Sequence, residues 1–195
     1  MPAPLAFWRA RTGCYNSLVK TNRRLFLVGM MGAGKTTVGR QLAKRLGKTF
    51  HDADREIETR TGVSVAVIFD IEGEAGFRKR EAEVIEQMTG LDDIVLATGG
   101  GAVLDPRNRE HLKSRGFVIY LHALPPVLWQ RTRTDKSRPL LQGADPRERL
   151  ESLYAARDPL YRDVADLVVE TGRQGIGPLL TQVLTRIDEA CRLSA

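Results

Sequence analysis

The run Gly29-Met30-Met31-Gly32-Ala33-Gly34-Lys35-Thr36 constrains the architecture of this chain more than any other feature. It matches G-x-x-x-x-G-K-[ST] at every fixed position. It follows the apolar stretch Leu25-Phe26-Leu27-Val28 and opens an amphipathic segment, Thr36 to Leu46, with Val38, Leu42 and Leu46 at i, i+4 and i+8. Strand, glycine turn and helix in that order are the context the motif needs. The glycines let the backbone curl with its N–H groups inward as an anion nest, and the helix N-terminus adds partial positive charge. Lys35 is placed to reach the β- and γ-phosphates of a nucleoside triphosphate, and the Thr36 hydroxyl to ligate Mg²⁺ directly.

The rest of the chain reads as alternating strands and helices. Further β-rich runs are Thr49-Phe50-His51, Ile94-Val95-Leu96-Ala97, Phe117 to Leu121 and Leu167-Val168-Val169. Most lack polar alternation, which suits strands covered on both faces of a parallel sheet. Helical patterns span Glu72 to Met88, Pro106 to Ser114, Pro125 to Arg133, Pro146 to Ala156 and Ile176 to Leu193, three of them opening on proline. The expected fold is α/β: three layers around a five-stranded parallel sheet with right-handed crossovers.

A chain of 195 residues holds one such domain. Residues 24–195 are expected to form it, with a mobile lid over about 132–146, a stretch rich in Arg, Lys, Asp, Pro and Gly. Residues 1–23 read as a basic, flexible extension without a signal-peptide core. No apolar run approaches the roughly 18 residues that span a bilayer, so no membrane role is expected. Two cysteines, Cys14 and Cys191, suggest a reducing compartment, here the cytoplasm. A net charge of +6 favours anionic ligands without choosing among nucleic acid, nucleotide and small carboxylates.

The phosphate motif alone does not name a reaction. A GTPase should offer Asn-Lys-x-Asp, and this chain has none. A motor or helicase should carry an apolar strand ending in an acid; here Ile94 to Ala97 runs into Thr98-Gly99-Gly100-Gly101. The acids follow another strand, at Asp52 and Asp54. Strand alternation would aim both to one side, one to help hold hydrated Mg²⁺ and the other to grip a substrate hydroxyl. The same pair also reads as an N-cap for a helix over Arg55 to Thr61. A compact kinase fits these features best. Another P-loop kinase acting on a sugar acid or nucleoside monophosphate, and a nucleotide-dependent nucleic-acid binder, are the competing readings.

Taken in order, Gly29 to Thr37, Asp52-Ala53-Asp54, Gly73-Glu74 with Phe77-Arg78, Gly99-Gly100-Gly101, Arg138-Pro139-Leu140-Leu141, and Arg157 with Tyr161 resemble the motifs of shikimate kinases, over about Arg24 to Arg192. The resemblance implies a nucleoside-monophosphate-kinase-like fold and phosphorylation of the shikimate 3-hydroxyl by ATP with Mg²⁺, on the route to chorismate and aromatic amino acids. It implies a monomer whose partners are these small molecules, with no nucleic acid. Gly32, Ala33, Gly34, Lys35, Thr36 and Thr37 would hold ATP, and Asp52 would meet the metal through water. Arg78 and Arg157 resemble the family's carboxylate clamp, a role suited to arginine's planar fork. Asp54 would accept from ring hydroxyls, and Gly99, Gly100 and Gly101 would lend backbone to the substrate. Arg138 resembles a lid arginine closing on the phosphates. Arg131 would stack on adenine, unless it is a solvent-facing helix residue, and Gln174 would contact the nucleotide. His51, His111 and His122 read as structural or surface residues.

Overall fold

The computed structural model describes residues 24–134, 145–172 and 174–193, with backbone only at 190–193. The extension 1–23, most of the expected lid and Arg138 lie outside the described residues.

Five parallel strands form one sheet: β1 (Leu25–Val28), β2 (Thr49–Asp52), β3 (Ile94–Ala97), β4 (Phe117–His122) and β5 (Leu167–Glu170), in the order β2-β3-β1-β4-β5. Every residue of β1 and β3 is buried, as their unbroken apolar runs predict for strands covered on both faces. The edge strand β2 is only partly covered. Register levels the carboxyl ends of three strands, with Ala97 paired to both Leu27 and Asp52. The chain leaves β1 toward β2 on one side and β4 toward β5 on the other, so the crevice at these carboxyl ends is the expected ligand site.

The helices are α1 (Lys35–Leu46), α2 (Ala53–Thr61), α3 (Val65–Met88), α4 (Pro106–Arg115), α5 (Pro125–Thr132), α6 (Pro146–Val164) and α7 (Ile176–Leu193). In α1 the buried stripe is Val38, Leu42 and Leu46 with Gly39 and Ala43, the apolar periodicity legible in the sequence. Two helices run beyond expectation. The element predicted from Glu72 is preceded by a further helical piece from Val65, capped by the Ser64 side chain, and the two pieces of α3 are separated by a kink at Gly73, whose φ of 68° and ψ of −176° glycine alone adopts without strain. The helix predicted to stop at Ala156 reaches Val164 through Pro159. Proline removes a helical hydrogen bond, but the buried residues Leu150, Arg157, Tyr161 and Val164 lie on either side of it and hold one continuous face.

Candidate active site

The phosphate cradle is built as its sequence dictates. Gly34 caps α1 with φ 99°, a left-handed conformation, and no side chain covers that helix end. The first turn of α1 carries no acid, so its N–H groups and the partial positive charge of the helix end are left for an anion. Lys35 folds back and donates from Nζ to the carbonyls of Gly29 at 2.7 Å and Met30 at 3.0 Å. The loop, Lys35, Thr36 and Thr37 line a cavity of about 560 Å³.

Asp52 caps α2 and also touches the phosphate loop. One oxygen accepts from the Arg55 N–H at 3.4 Å as the cap of α2; the other accepts from the Thr36 hydroxyl at 2.7 Å. A carboxylate and a hydroxyl thus meet at the mouth of the phosphate loop. Asp54 reaches the same place by a different route than strand alternation: it sits in the first turn of α2, not on β2. Its Oδ1 is out of contact with solvent and has no hydrogen-bond partner. Burial, and then the neighbouring Asp52, raise its carboxyl above the usual range, with Lys35 and Arg78 pulling the other way.

Asp52 and Asp54 also line a second cavity of about 490 Å³, with Phe77, Arg78, Glu81, the glycine turn and Arg157. Arg157 is buried at 2% exposure and donates to the Gly100 carbonyl at 3.2 Å. Burial lowers its affinity for a proton, opposed by Tyr161. Arg78 is fastened on its own helix, to Glu81 at 2.6 Å and Glu74 at 2.9 Å. At two glycines a side chain would displace the groups that line the cavity. A Cβ on Gly101 would overlap the Arg78 guanidinium, and one on Gly99 would overlap Glu81 Oε1 and stand 2.9 Å from Asp54 Oδ1.

Sequence reasoning missed Glu81. It is 1% exposed, with Oε2 on Arg78 and Oε1 unpartnered. Its only local signal is the i, i+3 spacing from Arg78, which any surface helix offers. Burial lifts its carboxyl to about 7, against the pull of Arg78 and with a push from Asp54. The folded chain therefore holds a proton there that the unfolded chain releases, so this group lowers stability as pH rises from about 4.5 to about 7. Glu81→Gln, which retains an acceptor for Arg78, should flatten the pH dependence of the melting temperature across that window. An undiminished slope would show that other groups carry it.

At the far rim, Arg131 is fixed in place. It donates to the carbonyls of Gly32 at 3.1 Å, Thr171 at 2.9 Å and Gly172 at 2.6 Å, tying the phosphate loop to the end of β5. It and Gln174 both line the cradle cavity, and Gln174 donates to Glu170 O at 3.2 Å and Gln182 at 2.8 Å. The histidines do not converge. His122, 5% exposed, lies 2.7 Å from both Glu170 and the Tyr154 hydroxyl, in keeping with a structural role. Among the described residues no group of three or more His, Cys, Asp or Glu forms a metal cage.

The two cavities share Met31, Thr36, Asp52, Asp54 and Gly100, so the cavity of the glycine loop and the cavity holding Arg78 and Arg157 have a common wall. The comparisons with known proteins point the same way. The family model for shikimate kinase matches residues 31–188. The shikimate kinase of Burkholderia lata is 60% identical over 166 residues, covering 85% of this chain and 90% of that protein. The shikimate kinase of Cupriavidus pinatubonensis is 59% identical over 166 residues, 85% of this chain and 86% of that one. Among solved structures, shikimate kinase from Acinetobacter baumannii in complex with shikimate superimposes with a TM-score of 0.85 at 48% identity, covering 88% of this chain and 96% of that one. With the cradle, the acid pair and the paired arginines in one crevice, the chain belongs to the shikimate kinase family.

Proposed function

We propose that this chain transfers the γ-phosphate of ATP to the 3-hydroxyl of shikimate, giving ADP and shikimate 3-phosphate on the route to chorismate and aromatic amino acids. The observation that carries the reading is the shared wall between the two cavities. A triphosphate in one cavity and a carboxylated polyol in the other meet at Thr36, Asp52, Asp54 and Gly100.

Each role follows from the chemistry of the residue. The loop backbone and Lys35 hold the phosphates and offset the charge that spreads over the moving phosphoryl group. Arg78 and Arg157 take the carboxylate of shikimate, which leaves its ring hydroxyls facing Asp54. The unpartnered oxygen of Asp54 accepts from the attacking hydroxyl, and its raised proton affinity suits a proton acceptor. The oxygen donors of Thr36 and Asp52, 2.7 Å apart, fit Mg²⁺, which keeps much of its water and takes few protein ligands. Bound there, Mg²⁺ would neutralise phosphate charge, with Thr36 as its direct ligand and Asp52 acting through its water. Arg131 has its in-plane N–H groups taken by carbonyls, and its flat face is assigned to adenine. Gln174 joins it at the nucleotide. Arg138 is assigned to the lid on its sequence alone, closing on the phosphates and shutting out water.

In this reading the enzyme is a cytoplasmic monomer, residues 24–195 carry the activity and the basic extension 1–23 is dispensable for it. Among the described residues no helix is long and apolar enough to cross a membrane. The decisive experiment is a coupled ADP-release assay with and without shikimate, on the full chain and on one starting near Arg23. ADP release should require shikimate in both. Release independent of shikimate, or dependent on a different acceptor, would overturn the assignment. Arg78→Ala should weaken shikimate binding while ADP binding stays close to that of the unmodified chain, as titration with each ligand would show. Equal losses for both ligands would remove Arg78 from the acceptor clamp.

A further inference from the structure

Tyr161, on α6 one turn beyond Arg157, has no surface exposed, and its hydroxyl donates to the carbonyl oxygen of Gly100. Arg157 Nη1 donates to the same oxygen at 3.2 Å. A carbonyl has two lone pairs, so this one is saturated by two donors from a single helix. The peptide plane after Gly100 is held accordingly. Its N–H, contributed by Gly101 and trans to that carbonyl, is directed away from α6. Gly101 and Gly100 both line the acceptor cavity.

The phenol is also supported from the other side. Its ring packs on Tyr120 with centroids 4.9 Å apart, and Tyr120 in turn donates to Asp158 at 2.8 Å. The Tyr161 oxygen lies 3.6 Å from the sulfur of Met30 in the phosphate loop. Burial raises the phenol well above an ordinary tyrosine, with Arg157 pulling the other way, so the group stays protonated and able to donate. Glycine brings no side chain to hold the turn in place, which leaves this work to groups that reach its backbone.

We propose that the Tyr161 hydroxyl is a positioning group of the acceptor site: by fixing the Gly100 carbonyl it sets both the glycine turn and the Arg157 guanidinium for the substrate. This rests on the reading above that a carboxylated polyol occupies the cavity of Arg78 and Arg157. Without the hydroxyl, Arg157 alone satisfies the Gly100 carbonyl, and the guanidinium and turn lose their common reference.

The test is a steady-state comparison of the full chain with its Tyr161→Phe and Tyr120→Phe variants, each with a melting curve. Both variants lose one hydroxyl from the same ring pair, and both should melt lower. Only Tyr161→Phe should raise the KM for shikimate, by about tenfold, the scale of one buried hydrogen bond. The KM for ATP should be unmoved and kcat should fall much less. If Tyr161→Phe melts lower but keeps its KM for shikimate, or if Tyr120→Phe raises that KM as much, the hydroxyl is merely structural and the proposal fails. No turnover of shikimate by the unmodified chain would sink the acceptor reading and this role together. Turnover with an unmoved KM in Tyr161→Phe sinks this role alone.

Discussion

Replacing Asp54 with asparagine should lower kcat by about 10²–10⁴-fold, the range expected for loss of a positioned proton acceptor, and should at the same time raise the melting temperature. The two effects have one origin. Asp54 Oδ1 is buried without a partner, and its carboxyl is pushed up first by burial and then by Asp52. A carboxylate held this way is costly to the fold in its charged form. The folded chain binds the proton more tightly than the unfolded chain, so the Asp54 contribution to stability is lost as pH rises from the ordinary value of 3.8. Asparagine has nearly the same shape and no charge, so the gain should be larger near neutrality than in acid. For a chain of this size each kcal/mol gained moves the midpoint by roughly 2–4 °C. ADP binding should stay nearly unchanged, because the phosphate loop makes its own contacts. Melting curves at acidic and neutral pH, with kcat from the coupled assay, check both halves. A variant that is less stable and loses activity only in proportion to its unfolded fraction would make Asp54 a structural residue of the first turn of α2 and nothing more.

The parts of the site legible in the sequence are those that a local segment encodes by itself. The phosphate loop is contiguous, and strand, glycine turn and amphipathic helix are written within Leu25 to Leu46. The capping of α2 by Asp52 is legible, since an acid after a strand and before a helix can cap; its contact with Thr36 brings it to the crevice as well. Asp54 was assigned to the correct side for a reason the structure replaces, the first turn of a helix rather than strand alternation. Arg78 and Arg157 belong to two helices far apart in the chain, and no spacing predicts that α3 and α6 present them to one cavity. Only the resemblance joined them. Glu81 looks like any helical salt-bridge partner until the fold buries it beside the glycine turn. Pro159 is a local stop signal that tertiary packing overrides, whereas Gly73 does break the helical backbone next to the Glu72 start read from the sequence; there the sequence pattern omits only the stretch from Val65. The sequence leaves Arg131 open between an adenine stack and a solvent-facing residue, because its three carbonyl contacts come from loops that lie far apart in the chain.

Arg157→Ala should weaken shikimate binding by about 10²–10³-fold, the loss expected when one partner of a desolvated charge pair is truncated, and more than Arg78→Ala does. The two arginines differ in what already neutralises them. Arg78 is paired with Glu74 and Glu81, so an incoming carboxylate must share it with two acids, one of them buried. Arg157 is buried with its hydrogen bond on the Gly100 carbonyl, and among the described residues no carboxylate lies within ion-pair distance of it. Burial first, and then the like charge of Arg78, pull its proton affinity down against Tyr161 and Glu74, as expected for a buried cation without an ion-pair partner. In the proposed reaction the carboxylate of shikimate supplies the missing counter-charge, so binding would relieve the cost of burying Arg157, and the gain would be concentrated there. Arg157→Lys should recover little, because a single ammonium cannot both hold the Gly100 carbonyl and present a two-pronged donor to the carboxylate. Shikimate should accordingly raise the melting temperature of the unmodified chain and of Arg78→Ala, by mass action on the folded state, and leave that of Arg157→Ala almost unmoved. ADP should raise all three. Should Arg78→Ala prove the more damaging substitution, the acids around it would be acting as a relay that frees it for the substrate, and the unpaired charge of Arg157 would be serving the glycine turn instead.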